Sequence, residues 1–126
     1  MSVEHPAEFM VMQYEWPGGK LQPIAILLLD LSADKLHLRS RDDFDGIADR
    51  DDAELLQLFI AQLAAESEQM RGSDILLELE DKLANSVRIT ERQLATADDI
   101  QRTLADLYRE HVDPRRAAFR KAQTAG

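Results

Sequence analysis

The sequence predicts an α+β domain: an antiparallel sheet of about four strands with helices packed on it, in the chain order β-β-β-α-α-β-α. Three observations predict this. Two apolar, alternating segments flank a Pro-Gly-Gly turn near the start of the chain. One of them, Ile24-Ala25-Ile26-Leu27-Leu28-Leu29, is apolar on both faces, as a covered central strand is. Beyond residue 50, apolar residues recur at helical rather than strand spacing.

Phe9 to Trp16 reads as the first strand, with Phe9 and Val11 on one face and Met10, Met12, Tyr14 and Trp16 on the other. Trp16-Pro17-Gly18-Gly19 has the type II turn pattern, proline second and glycine third. Leu21 to Leu31 is the returning strand, and Pro23, lacking an N–H, interrupts its pairing at that end. After a turn at Ser32-Ala33-Asp34, Lys35 to Arg41 alternates strictly. Leu36 and Leu38 face inward, and Lys35, His37, Arg39 and Arg41 form a basic outer row of the kind that guards an exposed edge.

Residues 42–50 read as a solvated acidic loop. Asp51, with Glu54 three residues on, has the form of a capping box opening a helix to about Arg71. Its apolar stripe is Leu55, Leu56, Phe59, Leu63 and Met70, widened by Ile60. Gly72 suits the position after a helix end, and Ser73 suits the cap of a shorter helix carrying Ile75, Leu76, Leu79 and Leu83. Val87 to Glu91 reads as the fourth strand. Thr96 and Asp99 form a second capping-box pattern before a helix bearing Ile100, Leu104, Leu107 and Tyr108, which Pro114 ends near Val112. Residues 1–113 thus make one domain, and 114–126 a basic tail.

The 126 residues carry a net charge of −9, unevenly spread: residues 109–126 hold +3 and the rest −12. Such an acidic balance favours solubility and repels nucleic acid. The absence of cysteine excludes disulfides, thiol catalysis and cysteine-ligated zinc. The first residues lack the basic region of a signal peptide, and Ile24–Leu29 is far shorter than the roughly 20 apolar residues of a membrane helix. A cytoplasmic protein without a cofactor is expected.

Candidate chemistry is sparse. Aligned on Gly46, Asp43, Asp45, Asp49 and Asp52 occupy positions 3, 5, 9 and 12 of a calcium loop. Arg41 stands where the first carboxylate is required, so the same aspartates also read as a loop leading into a helix cap. His5, His37 and His111 lie far apart without ligand spacing, and neither a nucleophile elbow nor a phosphate loop occurs. The expected function is therefore that of a non-enzymatic interaction or regulatory protein acting as a homodimer. A second subunit would supply cover for Leu21–Leu31 if the helices lie on one face only. The candidate surface is Met10, Met12, Tyr14 and Trp16, which also reads as core beneath a helix, or the strand edge with His37 and Arg39. The alternatives are a small enzyme or ligand-binding domain with a closed pocket, and an acidic mimic of nucleic acid.

Three stretches carry a family likeness: Leu28-Leu29-Asp30-Leu31 through Leu36-His37-Leu38-Arg39, Leu79-Glu80-Asp81 with Ile89-Thr90-Glu91-Arg92, and Leu107-Tyr108-Arg109-Glu110-His111-Val112. In these the chain resembles a group of small uncharacterised bacterial proteins. The resemblance implies a bacterial, intracellular protein and carries no activity with it.

Overall fold

The computed structural model describes residues 5–82 and 86–113. Five strands and three helices follow in the order β1 (His5–Glu15), β2 (Leu21–Asp30), β3 (Lys35–Ser40), α1 (Arg50–Gln69), α2 (Gly72–Lys82), β4 (Val87–Ile89), β5 (Gln93–Ala97) and α3 (Ile100–His111). A single 3-10 turn at Phe44–Gly46 precedes α1. Every pairing is antiparallel, and the sheet runs β3-β2-β1-β4, with β5 also on β1. The expected α+β class is present with one strand more than the sequence predicts. Leu83 and the tail at 114–126 lie outside the described residues.

β4 and β5 share one side of β1: β4 against Met12–Tyr14 and β5 against His5–Phe9. Between them, Thr90 keeps the ladder intact. Its N–H donates to the Val11 carbonyl at 3.0 Å, and its hydroxyl accepts the Val11 N–H at 2.9 Å. That leaves no unpaired donor on a strand interior, where one would be costly.

The helices divide between the two faces. Met10, Met12, Tyr14, Ala25, Leu27 and Leu29 pack with Leu56 and Leu63 of α1 and with Ile75, Leu76 and Leu79 of α2. Ala7, Phe9, Val11, Ile26 and Leu28 pack on the other face with Leu104 and Val112. β2 therefore finds cover on both faces within the chain, and its apolar pattern asks for no second subunit. The register shifts between Met12 and Gln13, which face Ala25 and Pro23, leaving Ile24 as the extra residue. This bulge turns Ile24 onto the α1–α2 face and shows the interruption expected at Pro23. The Trp16–Gly19 turn also forms as expected, with Gly18 and Gly19 at φ 110° and 96° and the Gly19 N–H bonded to the Trp16 carbonyl.

Several local expectations need correction. The N-cap of α1 is Asp49, whose carboxylate accepts from the Asp52 N–H, so the helix starts two residues earlier than Asp51 implies. The acidic loop is not wholly solvated, because Phe44 and Ile47 are buried in the α1–α2 core. Thr96 lies in β5, and Asp99 alone caps α3 through the Gln101 and Arg102 N–H groups.

Gly72 and Ser73 serve neither purpose expected of them. Asp34, at φ 50° in the β2–β3 turn, accepts the Gly72 N–H on its carbonyl and the Ser73 N–H and hydroxyl on its carboxylate. The cap of α2 thus comes from a residue 39 positions away. A Cβ on Gly72 would lie 2.4 Å from Leu29 Cδ1 and 2.8 Å from the Leu36 backbone nitrogen, so only glycine permits this approach. Gly72→Ala is expected to lower the unfolding free energy by about 2 kcal/mol through overpacking, measured by urea denaturation. An unchanged midpoint would show that the contact yields without cost.

A candidate partner-docking groove

The first residues singled out by the sequence are core residues. Met10, Met12 and Tyr14 are 1%, 0% and 3% exposed beneath α1 and α2, so as a strand face they present no open surface to a partner, and only the edge of Tyr14 reaches a depression beside α1. This corrects the assignment of that strand face as an interface: α1 and α2 already occupy it. Trp16 is half-buried at its end, edge-on to Tyr14 at 6.1 Å between ring centroids. Its indole Nε1 is buried with no hydrogen-bond partner among the described residues.

The aspartates of the loop have separate tasks. Asp43 receives both Nε and Nη2 of the buried Arg41 at 2.8 Å, and Asp45 is exposed. Asp49 caps α1, and Asp52 accepts the Tyr14 hydroxyl at 2.6 Å. Among the described residues no group of three or more His, Asp or Glu side chains is placed to hold a metal ion. The Arg41–Asp43 pair also explains the arginine at the head of this segment. It is a buried cation neutralised two residues away, and that hydrogen bonding raises its already high pKa.

β3 is an edge strand of the sheet, as the basic row predicts, with Lys35 and Arg39 exposed, and His37 and Arg39 of that row also meet α3. His37 Nδ1 is 3.2 Å from Gln101 Nε2, and burial, then the Lys35 charge, lower its pKa. The Arg39 guanidinium stacks 5.0 Å above the Tyr108 ring. His111 sits against Phe9 at 5.6 Å between centroids. These contacts hold α3 on the sheet.

The surface that stands out lies along one side of α1. Leu55 and Leu58 are 63% and 68% exposed, beside the half-buried Phe59. Two depressions meet at Phe59. One, of about 220 Å3, lies between α1 and β4 and is lined by Tyr14, Asp52, Leu55, Leu56, Phe59, Ser86 and Val87. The other, of about 210 Å3, lies between α1 and α2, where Leu63, Ile75 and Leu79 form its apolar wall and Gln62, Glu66 and Glu78 its polar rim. From Asp52 to Glu66 this groove follows α1 for roughly 21 Å, at 1.5 Å per helical residue. The sequence places Leu55 in the core stripe and passes over Leu58. The available signal is width: Leu55, Leu56, Leu58, Phe59, Ile60 and Leu63 span more of the helix than one core-facing stripe requires.

Near one end of the groove the Tyr14 hydroxyl is tied to Asp52. Donation to that carboxylate, then burial, then the Asp52 and Asp49 charges push the phenol pKa up to about 12. Tyr14 thus remains a neutral donor at ordinary pH rather than a general base.

Comparison with protein-family models, curated proteins and solved structures returns no match to this chain. Among the described residues no helix is long and apolar enough to cross a membrane.

The folded phenol pKa lies above its ordinary value of 10.0, so the neutral form is the one that the fold stabilises. Its contribution is complete below pH 10 and is lost as pH rises through about 12. Tyr14→Phe should cost about 2 kcal/mol at pH 7, as loss of a hydrogen bond to a charged acceptor does. It should also flatten the fall in stability between pH 10 and 12, measured by denaturant unfolding across that range. Parallel alkaline curves for the two proteins would remove this role for Tyr14.

Proposed function

We propose that this is a non-enzymatic interaction protein, and that its working surface is the α1 groove. The observation that carries the reading is the exposure of Leu55 and Leu58 next to the two depressions flanking Phe59. Neither leucine is needed to close the core, which Ala53, Leu56 and Leu63 already complete from the same helix. Neighbouring exposed leucines beside an apolar groove are typical of a surface that another protein covers. The titratable side chains around it support the same reading. Tyr14 and Asp52 satisfy each other, and Asp49 is bound to the helix N-terminus. They stabilise the scaffold and leave recognition to shape, apolar contact and charge.

The test is site-specific photo-crosslinking in the cells that make the protein. A photoreactive residue at position 58 is expected to yield a discrete protein adduct, and the same residue at Leu94, exposed on β5, should not. Leu55→Glu in the same chain should abolish the adduct. Adducts at position 94 alone, or adducts at 58 insensitive to Leu55→Glu, would move the working surface elsewhere.

A further inference from the structure

We infer that the groove receives a cationic amphipathic helix of a partner protein; this rests on the reading of the α1 groove as the docking surface. Three features of that groove lead to its occupant.

The first is charge. Residues 50–82, which form α1 and α2, hold nine carboxylates against Arg50, Arg71 and Lys82, or −6 of the chain's −9. Asp52, Glu66 and Glu78 line the depressions themselves, and Asp51 and Glu54 are exposed on the adjoining first turns. An apolar strip bordered by carboxylates favours an apolar stripe bordered by lysine and arginine. A second copy of this chain would bring the same −6 against it, and an anionic lipid surface would be repelled in the same way.

The second is backbone chemistry. From Phe59 to Glu66 the walls of the groove are α1 and α2, whose peptide groups are bonded within their own helices. They offer side chains and few backbone partners. An occupant must therefore satisfy its own backbone, which a helix does and an extended segment does not.

The third is length. Roughly 21 Å matches about four turns of helix, enough for apolar anchors at i, i+3 or i+4, and i+7. These would fill the depressions on either side of Phe59, with the leucine side chains of α1 between them.

The experiment uses the full chain and a designed peptide of about 18 residues. Leucines form one helical face, lysines the other, and tryptophan is omitted. Trp16 is the only tryptophan of the protein, and Tyr14 beside it lines the groove, so its fluorescence reports binding alongside calorimetry. Saturable 1:1 binding is expected, at least tenfold tighter than for the same peptide with glutamate in place of lysine, and weakening as salt rises. Leu55→Glu with Leu58→Glu is the deciding variant. Both positions are exposed, so the fold should persist, checked by circular dichroism and the thermal midpoint. The substitution adds two negative charges, so attraction by charge alone would tighten binding, whereas apolar docking predicts at least a tenfold loss. Equal or tighter binding by this variant overturns the inference. No binding of the lysine peptide, while crosslinks at position 58 persist, overturns the cationic helix and leaves the docking surface standing. Absence of both overturns both.

Discussion

The helical layer is registered on the sheet at one junction, where the β2–β3 turn meets the start of α2. Asp34 turns the chain at positive φ and in the same step offers its carbonyl and carboxylate to Gly72 and Ser73. The Ser73 hydroxyl and N–H in turn hold the Asp34 carboxyl below its usual pKa. Close packing sets the spacing, because Gly72 lies directly against Leu29 and the Leu36 backbone. With the first turn of α2 fixed, only Met70 and Arg71 separate it from α1. The angle between these helices decides how far Phe59 stands from Leu79, and hence that a groove exists there.

Beneath that layer, the sheet is built from the inside outward. β1 and β2 are covered on both faces, and they use the pleat to feed two separate cores. The bulge at Ile24 transfers one large side chain from the α3 side to the α1–α2 side, which needs more apolar volume beneath its two helices. The α3 side is smaller and more polar at its margin. Arg39 on Tyr108 and His37 beside Gln101 close it with contacts that tolerate partial hydration.

Much of the architecture was legible because two periodicities dominate it. Alternation on β1 and β3 and the double apolar face of β2 follow from side chains pointing to opposite sides of a pleat. The helical spacing of Ile100, Leu104, Leu107 and Tyr108 gives α3 its buried face in the same direct way. What could not be read depends on contacts between distant segments. Gln93-Leu94-Ala95-Thr96-Ala97 has little intrinsic strand preference and is a strand because β1 has a free side. Ser73 resembles a cap, yet Asp34 reaches that position from across the fold. Asp49 and Asp51 are equally good caps in sequence, and the seating of Phe44 and Ile47 in the core accompanies the earlier start. The site was missed for a related reason. Large apolar residues on Met10–Tyr14 and on Leu55–Phe59 look alike in sequence, and only the placement of α1 over β1 buries the first set and leaves part of the second outside.

The division of that side of the sheet into β4 and β5 at Thr90 has a consequence for behaviour at high concentration. β5 carries no charged side chain, and Leu94 on it is exposed, so along β5 nothing electrostatic discourages a foreign strand from joining the sheet. Its runs are short, however: three residues in β4 and five in β5, divided where the Thr90 hydroxyl stands in for a backbone group. An incoming chain can zip along neither run far enough to nucleate a continuous ladder. The shortness of these two runs, rather than a row of charges, is what limits strand addition on this side of the sheet.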